Sequence, residues 1–288
     1  MSALVKAGAV VGGLALTIGG GFYVKTLLGE EVLCIPLTKE DGYSGTYGDN
    51  SAKIGKLYGN YLVAPYGLVP KTNNNNSGEV VENNKKWWEK TYEVFKKDNA
   101  SSNDFKGKVS GAYDNRAVTA STETNKALNK ICEGVYGKES TDIKVSTTGT
   151  ESDQSKLRKD LFKYCSFLGE EPTTIDKTKE ESYSDNESYG KKHETKLIGT
   201  KGNDIFWETR NKEFFGAKDE NGIGHGLTEN TDSLFHGLYA TKGKSNQGNI
   251  RETCQKAYEL KESGDVNKPT ATKGSVFKFC SLEKKEVN

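Results

Sequence analysis

The sequence is poor in apolar residues and has almost no net charge. Only 33% of its 288 residues are hydrophobic, and the mean hydropathy is −0.73. A core built from so few apolar residues is thin, and thinly cored modules usually depend on disulfides, metals or neighbouring repeats. The 41 basic and 40 acidic residues nearly cancel. Without a long-range positive field to hold a polyanion, we expect no nucleic-acid partner.

Motifs that carry chemistry are also missing. None of the five cysteines forms a CxxC pair, which excludes zinc-ribbon and thioredoxin-like sites. His193, His225 and His236 lack metal-binding spacing, and no Gly-x-Ser-x-Gly elbow occurs. Gly237–Ser245 ends in Gly-Lys-Ser, but it is one residue too long for a phosphate-binding loop. We therefore predict no metal, no cofactor and no enzyme; the alternative is an extracytoplasmic hydrolase or nuclease without a recognisable motif.

One uncharged run stands at the N-terminus, where eighteen residues, Ala7–Val24, separate Lys6 from Lys25. At about 1.5 Å per residue, a helix of this length is near the lower limit for crossing a hydrocarbon core of ~30 Å. We predict a single transmembrane anchor over residues 1–28, in contact with the bilayer through residues 7–24. The alternative is a cleaved signal peptide, but no small-x-small cleavage site follows the run.

Small residues share one face of this predicted span. They are Gly8, Gly12, Ala15 and Gly19. Such spacing lets two membrane helices approach closely, which would produce a homodimer. Glycine and alanine are also common in membrane spans that make no such contact, and we favour that interpretation.

Three short blocks occur twice in the chain, in the same order. Each copy has a Trp followed seven residues later by a Phe. An apolar residue, a Cys and a Tyr then follow at spacings of four, and the copy ends in Phe-Lys-aromatic-Cys-Ser. The blocks begin at Trp88, Leu128 and Phe162 in one copy and at Trp207, Ile250 and Phe277 in the other. The repeated aromatic positions predicted to lie in the core are Trp88, Phe95, Tyr136, Trp207, Phe214 and Tyr258. We infer an internal duplication.

A weaker fourth correspondence lies upstream. Tyr58-Gly59 and Tyr189-Gly190 each precede a short apolar pair, Leu62-Val63 and Leu197-Ile198. This match is too short to carry weight in the argument.

The repeated blocks also predict local structure. Apolar residues recur at i, i+3, i+4 and i+7 in the first two blocks, which indicates amphipathic helices with the cysteines facing inward. The third block is typical of a helix in copy one and of either a helix or a short strand in copy two. We predict a mainly α fold with two tandem helical modules and long polar loops. The predicted boundaries are an irregular stalk at 29–80, modules at 81–168 and 205–288, and a polar linker at 169–204.

Each predicted module contains two cysteines. The expected disulfides are Cys132–Cys165 and Cys254–Cys280. Closing loops of 34 and 27 residues stabilises a module by about 3.5–4 kcal/mol on the chain-entropy account. Such bonds persist only outside the reducing cytosol, which would place residues 29–288 outside the cell. The alternative is four buried thiols. Cys34 is left over, either joining two chains or staying free.

These features resemble a paralogous family of membrane proteins of haemotropic mycoplasmas. The family pattern of a Met-Ser start and a Gly/Ala-rich anchor is matched by Met1-Ser2 through Gly21. Its Trp helix, Cys helix and aromatic-Cys-Ser ending are matched by Trp88, Cys132 and 164–166, although here the unit occurs twice. The resemblance implies a wall-less cell whose single membrane exposes the ectodomain to the host. We therefore expect a single-pass surface protein that binds a host-cell or host-protein ligand, or acts as an antigen, without catalysis.

Overall fold

The computed structural model describes eight stretches of the chain. They are residues 21–47, 52–70, 80–98, 100–117, 126–144, 151–217, 220–264 and 269–285. The fold is mainly helical and contains two disulfides, as predicted. Contacts divide the described residues into one unit that ends at Glu171 and a second unit that starts at Pro172. We call them the N-terminal and C-terminal units.

The N-terminal unit combines short strands with helices. Its strands are β1 (Phe22–Lys25), β2 (Glu31–Cys34), β3 (Leu68–Pro70), β4 (Val80–Glu82), β5 (Val109–Gly111) and β6 (Lys126–Ala127). Its helices are α1 (Tyr43–Tyr47), α2 (Ile54–Tyr58), α3 (Lys85–Lys97), α4 (Leu128–Tyr136) and α5 (Asp153–Tyr164), with 3-10 turns at Leu37–Lys39 and Ser140–Ile143. Strands β1 and β2 pair antiparallel, as do β3 and β4, whereas β5 and β6 pair parallel.

The described part of the C-terminal unit is helical apart from isolated bridges. Its helices are α6 (Tyr189–Lys192), α7 (Asp204–Phe215), α8 (Glu229–Tyr239), α9 (Ile250–Tyr258) and α10 (Lys273–Cys280), with a 3-10 turn at Ile175–Lys177. Asn249 and Thr272 cap α9 and α10, because their side-chain oxygens accept amides of the first turn.

Three very short extended segments meet at the centre of the N-terminal unit. Val63 pairs antiparallel with Pro36 on one side, and Leu62 pairs with Ser166 on the other. The Val63 amide donates to the carbonyl of Cys165 at 2.9 Å. Leu62 and Val63 are fully buried. We call this three-stranded arrangement the central ladder.

The C-terminal unit has a central ladder of the same design. Ile198 pairs with Thr174, and Leu197 pairs with Ser281, both antiparallel. The Ile198 amide donates to the carbonyl of Cys280 at 2.9 Å. Each bridge therefore has its counterpart in the N-terminal unit, which supports the inferred duplication at the level of backbone pairing.

The predicted helices of the first two blocks are present. Helix α3 contains the Trp88–Phe95 stripe, and α4 and α9 contain the first cysteine of each copy. Cys132 and Tyr136 are fully buried, as the inward-facing pattern predicts. The strand alternative for the end of copy two is wrong, since residues 276–279 lie in α10. Extended backbone starts only at Ser281.

The N-terminal span differs from the prediction over its last residues. Residues 22–24, expected at the end of a membrane helix, lie in β1 and pair with β2. Strand alternation buries Phe22 and Val24 against the unit, which explains their apolar character without a bilayer. No described helix is long and apolar enough to span a membrane. The predicted contact face, Gly8, Gly12, Ala15 and Gly19, lies outside the described residues.

The expected stalk and linker also differ from the structure. The 29–80 segment supplies Leu62, and the 169–204 segment supplies Leu197, the middle strands of the two ladders. Both side chains are fully buried, and so is Tyr61. A strand of two residues inside a polar sequence gives no detectable periodicity, so composition alone indicated a linker.

Candidate binding site at the end of the central ladder

A buried asparagine holds the N-terminal ladder together. The Asn84 side-chain amide donates to the carbonyls of Ile35 and Ala64, both at 2.8 Å, and its oxygen accepts the Ile35 amide at 2.8 Å. Asn84 is fully buried and immediately precedes α3. One side chain thus bridges two neighbouring ladder strands and fixes the start of the Trp-containing helix.

Asn203 makes the same three bonds in the C-terminal unit. It donates to the carbonyls of Thr173 at 3.1 Å and Gly199 at 3.0 Å, and it accepts the Thr173 amide at 2.9 Å. In both copies the asparagine stands four residues before the tryptophan. This constant offset is a signal in the sequence, although the two asparagines were not among the predicted repeat positions.

The repeated tryptophans and tyrosines complete the frame. The Trp88 indole donates to the Ala64 carbonyl at 3.2 Å, and the Trp207 indole makes the equivalent bond at 2.9 Å. The Tyr136 hydroxyl donates to the carbonyls of Val63 and Cys165, at 2.8 and 2.9 Å. The hydroxyl of its counterpart in α9 makes the equivalent pair at 2.7 and 3.3 Å. The tyrosine hydroxyls donate to the buried carbonyls of Val63 and Ile198, whereas the carbonyls of Cys165 and Cys280 also accept ladder amides.

Burial raises the pKa of the Tyr136 and Tyr258 hydroxyls well above the ordinary value. Both therefore remain neutral donors. The repeated phenylalanines pack against the third block, where the ring centroids of Phe95 and Tyr164 lie 5.1 Å apart. Phe214 and Phe279 repeat this contact at 5.0 Å. Of the six aromatic positions predicted to lie in the core, five are buried and Phe95 is only partly buried.

The two predicted disulfides are formed. Cys132 bonds to Cys165 with a Cα–Cα distance of 5.6 Å, and Cys254 bonds to Cys280 with a distance of 5.8 Å. Each disulfide connects the helix that contains the first cysteine of the copy to the segment that enters the ladder at Ser166 or Ser281. Both values lie within the usual range for unstrained bridges.

Cys34 is a free cysteine and is fully buried in β2. Burial raises the pKa of its thiol well above the ordinary value. An interchain bond through Cys34 is therefore wrong for this fold, because the sulfur cannot reach another chain while the unit is folded.

In the C-terminal unit, Glu181 binds the loop that follows the middle ladder strand, at Thr200 and Lys201. Its carboxylate accepts the backbone amides of Thr200 at 2.6 Å and Lys201 at 3.2 Å, and the Tyr183 hydroxyl at 2.9 Å. The Tyr183 ring lies over Gly190, where any side chain would clash with it. The ring also meets the edge of Tyr258, with centroids 5.6 Å apart.

An open cleft of about 330 Å³ adjoins this cluster in the C-terminal unit. Its charged side chains are Glu180, Glu181, Asp185, Glu259 and Lys201, four carboxylates against one ammonium group. The backbone of Glu180 is left-handed, with φ of 65°, a conformation that is uncommon outside glycine and asparagine. The carboxylates of Glu180 and Glu259 are exposed, so the cleft can accommodate an amine or a guanidinium group.

The equivalent place in the N-terminal unit carries different side chains. Glu40 takes the role of Glu181, since its carboxylate accepts the amides of Tyr66 at 3.1 Å and Leu68 at 3.4 Å. Burial raises the pKa of Glu40 to about 7, and the neighbouring Glu133 carboxylate adds to the effect. A carboxyl group of this kind changes charge near neutral pH.

Tyr66 occupies the position that Lys201 has in the C-terminal unit. It is only 4% exposed, and its hydroxyl donates to Glu133 at 2.7 Å. The Lys130 ammonium lies 4.7 Å from the centre of its ring and also donates to its hydroxyl. The same backbone frame thus holds a buried aromatic in one copy and an exposed lysine beside a cleft in the other.

The other residues considered in the sequence are placed separately. His193 packs between Tyr189 and Phe277, and His225 packs against Tyr239. Gly237–Ser245, which includes Tyr239, starts within α8 rather than after a strand. In the part of the chain that the structure describes, no group of three or more His, Cys, Asp or Glu side chains could hold a metal ion.

Comparison with protein-family models, curated proteins and solved structures finds no match. The resemblance to membrane proteins of haemotropic mycoplasmas stays a prediction.

Proposed function

We propose that this chain is an exported, membrane-anchored binding protein without catalytic activity, built from two copies of a disulfide-closed module. The observation that carries the proposal is the equivalence of Cys132–Cys165 and Cys254–Cys280, which join matching elements in both units. All four sulfurs are in fully buried residues. Structural disulfides of this type persist in oxidising compartments, which supports a location outside the cytosol.

The binding role is supported by how the two copies differ. The frame around each ladder is kept, whereas the residues at its end change, as with Tyr66 and Lys201. A rigid scaffold that presents variable loop residues is the usual arrangement of binding proteins. No specific observation favours the alternative of a hydrolase or nuclease.

The membrane anchor is supported by the sequence before β1. Ala7–Gly20, fourteen residues outside the hairpin, carry no charge. A helix of this length covers about 21 Å, so an anchor would also need the residues before Lys6 to span ~30 Å. A run this short is also typical of the apolar part of a signal peptide, which keeps cleavage as the alternative.

Sidedness and disulfide pairing can be tested together on intact cells. We expect surface protease to degrade residues 29–288, and non-reducing peptide mapping to recover the Cys132–Cys165 and Cys254–Cys280 peptides. Thiol titration should find none in the folded protein and one, Cys34, after unfolding without reductant. Reduced thiols at the other four cysteines, combined with a protected C-terminus, would overturn the proposal.

The N-terminus of the mature protein distinguishes a membrane anchor from a cleaved signal peptide. An uncleaved chain that partitions into the detergent phase supports the anchor. A chain that starts near Gly21 and stays in the aqueous phase supports cleavage and secretion instead. Binding is tested with disulfide-intact protein on host cells and host proteins at physiological salt, and the absence of any saturable binding would remove the binding role.

A further inference from the structure

Among the residues that the structure describes, exposed large hydrophobic side chains are confined to one hairpin. Within the described residues they are Tyr23, Leu27 and Leu28, exposed to 49%, 55% and 40%. All three lie in β1 or in the turn that joins it to β2. Scattered apolar residues on a surface need no explanation, but a group confined to one short hairpin indicates an interaction site.

The turn makes this exposure unusual. The Gly29 amide donates to the Thr26 carbonyl at 2.8 Å, so Leu27 and Leu28 occupy the two central turn positions. Gly29 has the positive φ that closes such a turn, at 84°. Central turn positions usually carry proline or polar residues, because these fit the backbone and the solvent. Leucine at these two positions does not stabilise the turn.

Burial of β1 alternates, so the strand has a free face. Phe22 and Val24 point into the unit, whereas Tyr23 and Lys25 point outward. An aromatic ring beside a lysine is the combination found at the headgroup level of bilayers, where the lysine stem snorkels. The free face of the strand and the leucine turn are continuous along the chain.

We propose that the β1–β2 hairpin lies against the lipid bilayer, with Leu27 and Leu28 entering the headgroup–acyl boundary and Tyr23 at the headgroup level. The occupant is lipid because the uncharged run Ala7–Gly20 leads directly into β1. Four strand residues span only ~13 Å, so the end of an anchored segment would hold the turn close to the membrane surface. This inference rests on the anchor of the proposed function.

The test uses the full chain in vesicles of phosphatidylcholine and phosphatidylglycerol. An environment-sensitive dye is attached at Leu27→Cys or Leu28→Cys, and at Ser101→Cys, an exposed site outside the hairpin, as matched control. Native Cys34 is fully buried in the folded protein, so we expect no labelling at this residue. We expect dyes at 27 and 28 to be about threefold less quenched by aqueous iodide than the dye at 101, and to be quenched by spin-labelled lipid.

Three other results would overturn the inference. Equal iodide quenching at 27 and 101 in vesicle-bound protein removes the hairpin contact and leaves the anchor intact. Shielding from iodide without quenching by spin-labelled lipid indicates a protein occupant, such as a second copy. Failure of the uncleaved chain to float with the vesicles removes both the anchor and the hairpin contact.

Discussion

Asn84 and Asn203 form the same three hydrogen bonds to the ladder strands of their own units. In each unit these bonds connect the asparagine to two neighbouring ladder strands, and a tryptophan follows four residues later. The asparagine is therefore a repeated structural element, and its removal should destabilise the whole ladder.

The Asn84→Ala substitution leaves the amide and carbonyl of Ile35 without their side-chain partner in a buried place. We expect the free energy of unfolding of the N-terminal unit to fall by about 2–4 kcal/mol. The matched control is Asn103→Ala, whose exposed side chain should matter by less than about 0.5 kcal/mol. Urea denaturation followed by tryptophan fluorescence measures the stability of both variants. Equal effects would contradict a stabilising role for the Asn84 hydrogen bonds.

Each disulfide should stabilise its own unit. Replacing Cys132 and Cys165 together by alanine should cost about 4 kcal/mol, and replacing Cys254 and Cys280 about 3.5 kcal/mol, on the chain-entropy account. Calorimetry should show one transition lowered in each variant while the other stays in place. Unchanged transitions after full reduction would show that the bonds do not carry stability.

Two glycines in the N-terminal unit should respond in opposite directions to alanine. A Cβ at Gly55 would stand 2.5 Å from the Tyr47 ring and 3.1 Å from the Tyr136 carbonyl. We expect Gly55→Ala to destabilise by about 1–3 kcal/mol. Gly134 lies in α4 with no neighbour within 4 Å, so Gly134→Ala should stabilise by about 0.5–1 kcal/mol. Thermal unfolding of the two variants checks the sign of each effect.

Glu40 should make the N-terminal unit less stable as pH rises. Its pKa is about 7 in the folded state, against 4.5 in an ordinary environment. Between these values the folded state holds a proton that the unfolded state has lost, so stability is full below about pH 4.5 and declines up to pH 7. The difference between these pKa values corresponds to a loss of about 3 kcal/mol in the free energy of unfolding.

The matched variant is Glu40→Gln, which keeps an oxygen for the amides of Tyr66 and Leu68 but cannot ionise. We expect it to unfold at higher denaturant concentration than the native chain at pH 8 and at a similar concentration at pH 4.5. Denaturation at a series of pH values tests this, and parallel curves for the two proteins would exclude Glu40 as the source.

The helices and disulfides could be predicted because their signals are local or repeated. Trp88 to Phe95 follows the helical period, and the four paired cysteines recur with their blocks. The ladders could not be predicted, since strands such as Leu62-Val63 have two residues and owe their conformation to partners far along the chain. The fourth match was half right: the apolar pairs are equivalent, but Gly190 corresponds to Gly55, as the overlying tyrosine rings indicate.

The site at the ladder end was not predictable for the same reason. Glu181 and Tyr183 lie in a polar stretch that resembles a linker, and Glu181 bonds to amides about twenty residues further on. Similarly, the apolar run before Lys25 does not reveal where an anchor would stop and a strand would start. Only the pairing of Phe22 with Cys34 settles that point for β1.

Cys34 is the first cysteine of the chain, and the native bonds join the second to the third and the fourth to the fifth. An oxidase acting on cysteines in order of emergence would instead link Cys34 to Cys132 and Cys165 to Cys254, leaving Cys280 single. For an exported chain oxidised in that order, the native pairing would require either early burial of Cys34 or later isomerisation of the non-native bonds. Cys34 is fully buried in β2, so folding of the β1–β2 hairpin before oxidation would keep its thiol out of disulfide exchange.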